Sequence, residues 1–443
     1  MSLYFFINNY IRRPKPCNFA MQIIVRSILH KNDRTKAINV GTMDHVATEV
    51  ETIMGVDNKS YDPHDTGFQS RKKLTQFMAK NQKELPIRTI DDSFVYATIP
   101  LSSDPQIRIK YTAIMGTIRI GRLLEDMDMF AVYVCLRHIL NPKMPKNEPT
   151  PYIVVTVLVD KINLTSVITK HDKDIRIFGH ITWVGTSSLE VVVWLEQLDG
   201  KQSHLLLSAV FMMAVRESTT MKAAIINAVK ATTPEEQKLI DGGKIRKEER
   251  IRTLAKQLTK VIPNEKEQEI LHELFMRTLN VNEGVFLKQV LPSNCDWMEK
   301  YTLSNLIVVH PEHRNLHNNV FGGFIMRAAL EVSFGLGYLF TNSRPLFKTI
   351  SDINFNKPIS LNSLIHMHAY LVCTKGKFYQ ISVHTNTWDT KAAQNFTSNT
   401  FHFTYESVSN VKEIFPKTYR ESMTYIDGYR QLVAAINSHD RTL

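Results

Sequence analysis

Apolar residues follow two rhythms along this chain. They recur at helical spacing in RLLEDMDMFAVYVCLRH, 122 to 138, and again in the segment that opens at Gly322. Elsewhere they alternate with polar residues or run unbroken over strand lengths. SFVYATIPL (93 to 101) precedes the first helix, and YIVVTVLVD, DIRIFGHITWV, SLEVVVWLEQL and LLLSAVFMMAV follow it. YTLSNLIVVH (301 to 310) precedes the second, which is followed by FKTISDINF, SLIHMHAYLV, KFYQISVHTNTW and NTFHFTYE. One extended tract, one helix and four β-like runs, given twice, predict an α+β chain in which each half wraps an antiparallel sheet around one long helix.

Residues 217 to 290 break the pattern. Their core, EEQKLIDGGKIRKEERIRTLAKQLTKV, is charged and helix-prone, which predicts a helical connector with its charges on a solvated face. The expected organisation is therefore a first unit at 85–216, a connector at 217–284 and a second unit at 285–410. A leading segment at 1–40, an N-terminal extension at 41–84 and a C-terminal extension at 411–443 complete it.

Superposing the two helices with Gly121 on Gly323, a shift of 202 residues, aligns IRIGRLLEDMD with VFGGFIMRAAL. At about 100° per residue, Leu124, Asp128, Ala131 and Cys135 fall within one arc, so Asp128 lies on the apolar stripe while Glu125 and Asp126 turn away. A carboxylate on an apolar face costs on the order of several kcal/mol unless it is paired or hydrogen-bonded. The corresponding residue of the second helix is Leu330; Glu331 is adjacent but rotated off the stripe. Conversely, Asn315 of the second block corresponds to Ala113 of the first. One half carries an amide and the other an acid, so a general acid/base site would need both.

The tract HPEHRNLHNNVFGGFIMRAALE, 310 to 331, holds the remaining candidate chemistry. Gly322 and Gly323 permit close approach to a helix N-terminus whose first amides lack partners, a site for an anion or a polarised carbonyl. Tight packing against a sheet would require the same glycines. His310, His313 and His317 crowd the turn, but Asn315 and the glycine turn oppose a helix there, which argues against an i, i+4 metal pair. No Gly-x-Ser-x-Gly elbow occurs, which argues against a serine hydrolase of the α/β type.

Composition narrows the setting. The 443 residues are 43% hydrophobic and 22% charged, ordinary for a globular protein, and no apolar run approaches the roughly 18 residues of a membrane span, so no integral membrane segment is expected. Four dispersed cysteines without a Cys-x-x-Cys pair imply a reducing compartment. The net charge of +11 is concentrated at one end: residues 1 to 36 contain seven basic residues and one acid, Asp33. Arginines mixed with large apolar residues there have the character of a mitochondrial transit peptide. No basic patch interleaved with aromatics suggests nucleic acid.

The glycine tract with IRIGRLLEDMDMFAV, VVTVLVDKINL with FGHITWVGTSSLEVVVWLEQL, and the connector ending EQEILHELFMRTL together resemble the mitochondrial acyl-coenzyme A thioesterases, from about residue 90 to about 410. That resemblance implies tandem hotdog domains, hydrolysis of acyl-CoA to free acid and CoA without a cofactor or metal, and residence in the mitochondrial matrix. It also implies homo-oligomers, among them trimers of double hotdogs. By motif position it makes Asn315 and Asp128 the catalytic pair, with the amides of Gly322 and Gly323 polarising the carbonyl. IRIG replaces the glycine pair in the first block, so no second active site is carried over. A non-catalytic acyl-CoA binder and an enoyl-CoA hydratase are the competing readings.

Overall fold

The computed structural model describes residues 34–55, 72–114, 116–145, 148–160, 162–165, 170–200, 202–279, 289–315, 319–351, 353–355, 357–391 and 393–439. Most of the expected leading segment and His317 lie outside the described residues. The first half runs β1 (Ile38–Thr42), α1 (Met43–Met54), β2 (Val95–Ile99), α2 (Pro105–Tyr111), α3 (Ile120–His138), β3 (Tyr152–Val159), β4 (Ile162–Leu164), β5 (Ile175–Val184), β6 (Ser188–Asp199) and β7 (Gln202–Glu217). Two connector helices follow, α4 (Pro234–Ala255) and α5 (Glu265–Arg277). The second half runs β8 (Thr302–Val308), α6 (Gly322–Thr341), β9 (Leu346–Ile350), β10 (Ile353–Asn354), β11 (Ser363–Lys375), β12 (Phe378–Asp389), β13 (Gln394–Glu406) and α7 (Tyr419–His439).

These thirteen strands form one sheet, ordered β1-β2-β5-β6-β7-β4-β9-β13-β12-β11-β8, with β3 and β10 paired beside it. The two halves meet where Ile162 of β4 opposes Ile350 of β9 and Val159 of β3 opposes Ile353 of β10. Each half curls around its own helix. Alternation in β2 sends Val95, Ala97 and Ile99 inward, and Leu123, Leu124, Met127, Phe130 and Ala131 of α3 are buried in the same core. Burying each large side chain contributes about 1.5–3 kcal/mol, so the helix is held by its sheet rather than by propensity.

Both extensions contain packed structure. Thr42 caps α1, accepting from the His45 amide, and Met43, Val46, Val50 and Met54 of α1 are buried in the core that includes α3. The Tyr133 hydroxyl donates to Glu49 Oε2 at 2.8 Å. Strand β1 pairs in parallel with β2 and straddles the expected boundary at residue 40. At the other end, α7 packs on β11, β12 and β13.

One expectation needs correction. The connector is not simply solvated: Arg246 and Arg250 of α4 reach the first half's sheet and enclose Glu190 of β6, which is fully buried. Arg246 Nε donates to Glu190 Oε1 at 2.9 Å, and Arg250 Nε donates to Asp160 Oδ1 at 2.9 Å. The arginines are four residues apart and share one helix face, but their acids lie far away in sequence. α6 has the length and composition of a membrane span, but it is mostly buried as a core helix, so it does not overturn the expectation of no integral membrane segment. Its apolarity serves the surrounding sheet, against which Ile325, Met326, Ala329 and Leu336 are buried.

Removing one partner from a buried ion cluster leaves the other uncompensated, typically at a cost of about 3–5 kcal/mol. Arg246→Ala should accordingly lower the unfolding free energy by about 3 kcal/mol in denaturant titration, while specific activity per folded molecule stays near wild type.

Candidate active site

The 202-residue relation holds down to single hydrogen bonds. Helix α3 begins at Ile120 and α6 at Gly322. Before α3, Thr112 bridges Ile118, the Ala113 amide donates to Thr117 O at 2.7 Å, and the Arg119 amide donates to Tyr111 O at 2.7 Å. Before α6, Arg314 bridges Val320, the Asn315 amide donates to Asn319 O at 2.6 Å, and the Phe321 amide donates to His313 O at 3.0 Å. At their described residues the two turns share these bonds and differ in side chains.

The two helices run antiparallel across each other at their N-terminal turns, and glycines permit the approach. A Cβ on Gly323 would lie 2.8 Å from Glu125 Cα, and one on Gly121 would lie 2.9 Å from Arg327 Cγ. Glu125 and Arg327 are themselves related by the same shift, so the crossing is a local two-fold. A Cβ on Gly322 would come within 3.0 Å of Asp128 Oδ2 and 3.2 Å of Phe355 Cε1. The glycine pair is therefore needed for packing, and that packing places the helix N-terminus against an acid.

Asp128 is 1% exposed. Its Oδ2 accepts from the Gly323 amide at 2.7 Å and its Oδ1 from the Thr156 hydroxyl of β3 at 2.6 Å. Burial pushes its pKa up to about 6, opposed by the Thr156 and Gly323 hydrogen bonds and reinforced by the negative charge of Glu125. Thus the structure joins Asp128, Gly322 and Gly323 across the two halves. It adds Thr156, which periodicity does not single out; a threonine interrupting the apolar run VVTVLV is the available signal.

Asn315 lies half-buried in the polar turn, its Oδ1 accepting from the Asn319 amide at 3.2 Å. The hydrogen bonds of Asp128 go to Thr156 and Gly323, not to Asn315. At the related position by α3, Ala113 has no side-chain amide and the buried Leu330 stands in place of the acid.

The helical phase is right for one neighbouring acid and wrong for the other. Glu125 is off the Asp128 stripe, but Asp126 is 5% exposed and its Oδ2 accepts from the Tyr111 hydroxyl at 2.6 Å. Burial pushes the Asp126 pKa up to about 7, against the nearby Arg122 charge and the Tyr111 hydrogen bond. A single helix wheel assumes one wet face; α3 instead has a sheet, α6, α1 and α2 around it. His313 is engaged locally: its Nδ1 accepts from the His310 amide at 3.1 Å and its ring stacks on Phe324, with centroids 4.2 Å apart. Among the described residues no three His, Cys, Asp or Glu side chains form a metal-binding group.

The halves also differ in what lies outside the central helix. Beside α6 is an open groove of about 480 Å³, lined by residues including Leu303, Ile307, His313, Phe324, Ala328 and Val332. The residues of α3 related to the last three are Arg122, Asp126 and Phe130, and on that side α1 packs against α3.

A sheet wrapped around a helix twice over in one chain, with the two helices crossing at a glycine N-terminus and a buried carboxylate, defines a double-hotdog protein. Acyl-coenzyme A thioesterase 9, mitochondrial, of Bos taurus is 37% identical over 392 residues, covering 88% of this chain and 89% of that one. The Homo sapiens protein of the same name is 37% identical over 385 residues, 87% of each chain. The chain belongs to the mitochondrial acyl-coenzyme A thioesterase 9 family. Among solved structures, an acyl-CoA hydrolase from Staphylococcus aureus, in complex with butyryl-coenzyme A, coenzyme A and coenzyme A disulfide, is 16% identical, with 33% of this chain and 92% of that one covered at a TM-score of 0.30. No protein-family model matches the chain.

The raised pKa has a stability consequence whose sign is fixed. The unfolded carboxyl ionises near its ordinary value of 3.8 and the folded one only near 6, so rising pH favours the unfolded chain between those values. Above both, the ionised Asp128 costs about 3 kcal/mol by that difference. Asp128→Asn should melt at a higher temperature than wild type at pH 7.5, with the gap closing toward pH 4 in calorimetry.

Proposed function

We propose that this chain hydrolyses acyl-CoA thioesters in the mitochondrial matrix, at one site per chain built from both halves. The observation that carries the reading is the contact between Asp128 of the first central helix and the Gly323 amide that opens the second. A thioester whose carbonyl oxygen accepts from the Gly322 amide at the first turn of α6 has its carbonyl carbon beside that carboxylate, while the Gly323 amide stays on Asp128. Such a donor is worth about 2.7–4 kcal/mol in the transition state.

Asp128 acts as general base, taking a proton from a water that Asn315 orients toward the carbonyl carbon. The tetrahedral intermediate then expels the CoA sulfur, and the proton passes from Asp128 to the thiolate. Thr156 holds the carboxylate in position. A pKa of about 6 suits a general base: the group is ionised at neutral pH yet basic enough to accept a proton. The related site by α3 lacks acid and amide, with Leu330 and Ala113 standing instead, and the face of α3 next to it packs against α1.

The basic, arginine-containing N-terminal arm supports import, and relatives carry mitochondrial names. Because β1 is part of the sheet, cleavage falls before Ile38, so that the mature chain keeps that strand. Assembly as a trimer of double hotdogs is part of the same reading.

Purified protein should release thiol from acetyl-CoA, palmitoyl-CoA or both in a thiol-reactive dye assay. No release from any acyl-CoA would leave only a binder, and water addition to an enoyl-CoA would indicate a hydratase. Asp128→Asn and Asn315→Ala should each lower kcat by at least roughly a hundredfold. The wild-type kcat/KM should fall below about pH 6, because protonation removes the base.

Co-expression of the Asp128→Asn and Asn315→Ala chains tests the intrachain site. If each site lies within one chain, every chain in the mixture stays inactive. Activity well above either mutant alone would show that acid and amide come from different subunits.

A further inference from the structure

Glu125 sits at the centre of the helix crossing. Its backbone is the floor against which Gly323 packs, and its side chain, 15% exposed, lies one turn before Asp128 on α3. Glu125 Oε2 accepts from Arg122 Nη1 at 2.7 Å and lies 3.4 Å from Arg327 Nε of α6. The stem of Arg327 packs on Gly121, so the cation from the second half is delivered by the same two-fold contact that brings Gly323 to Asp128.

We infer that Glu125, clamped between Arg122 of its own helix and Arg327 of the other half, is a positioning residue that sets the ionisation of Asp128 and couples it to the seating of the two halves. This rests on the reading of Asp128 as the base. Three elements present polar groups to Asp128. From β3 comes the neutral Thr156 hydroxyl, and from α6 come the Gly323 amide and the positive N-terminal end of the helix. From α3 itself comes Glu125. Asp126 faces the opposite way, toward Tyr111 of α2, Arg122 and the neighbourhood of Asp44 on α1.

Glu125, three residues before Asp128 on the same helix, is therefore the one full charge in that set near enough to act on it, and the two arginines that hold its carboxylate govern how much of that charge Asp128 experiences. A negative neighbour disfavours a second negative charge, and the effect is large where water is excluded. As a stability device the clamp has modest value, because its arginines are about a third and a fifth exposed. Its leverage is on the buried carboxylate.

The test is the acid limb of kcat/KM in the full-length protein, read for wild type, Glu125→Gln, Arg327→Gln and the double variant. Glu125→Gln should move the limb to lower pH by about one unit, Arg327→Gln should move it to higher pH, and the double variant should return toward wild type. Glu125→Asp, which keeps the charge, should stay near wild type. Glu331→Gln is the control: Glu331 pairs with Arg119 at 2.9 Å on the exposed rim, and its loss should leave the limb in place. A purely structural role for Glu125 would alter melting temperature and kcat without shifting the limb. If Asp128→Asn is inactive but Glu125→Gln leaves the limb unmoved or raises it, the coupling is wrong and the base assignment stands. If Asp128→Asn keeps its activity, the base assignment itself is wrong.

Discussion

Everything distinctive about this molecule depends on how closely two helices can cross. Gly323 lies against the backbone of Glu125, and Gly121 lies against the stem of Arg327; a single methyl group at either glycine would collide at under 3 Å. That contact joins the halves from the helical side, as the β4–β9 and β3–β10 pairings do from the sheet side. It also turns the unsatisfied N-terminus of α6 toward a carboxylate that belongs to the other half. The burial of the acid against the α6 N-terminus follows from that one steric requirement.

Two buried carboxylates show how differently burial is compensated within one chain. Asp128 keeps two hydrogen bonds, which is enough to make its burial tolerable but not enough to restore an ordinary pKa. A neutral side chain would suit the fold better. The cluster around Glu190 presents the opposite case, since two arginines hold that carboxyl below its usual range despite complete burial. One acid is fully compensated and structural; the other is undercompensated and poised.

The two halves retain one backbone pattern and differ in the polar side chains they carry. At their described residues the turns share one bridge and two backbone hydrogen bonds at a spacing of 202 residues, yet Asn315 faces Ala113 in that comparison and Asp128 faces Leu330. The outer surfaces diverge as well. α1 packs on α3, whereas the groove beside α6 is open.

Local chemistry was legible from the sequence: the two rhythms located the helices and the principal strands, and the repeat placed Asp128, Ala113, Asn315 and Leu330 in register. Periodicity and spacing are properties of neighbouring residues, so they survive in one dimension. Thr156, the burial of Asp126 against Tyr111, the Arg246–Glu190 cluster and the helix α1 against α3 were decided by tertiary structure. Each depends on groups brought together from distant parts of the chain, and a helix wheel does not say how many neighbours will surround it. The sequence by itself determined that an acid on the first helix and an amide before the second each lack a counterpart in the other half. Only the crossing of α3 and α6 determined that Asp128 would meet the Gly323 amide, because that meeting requires a close approach between two segments far apart in the chain.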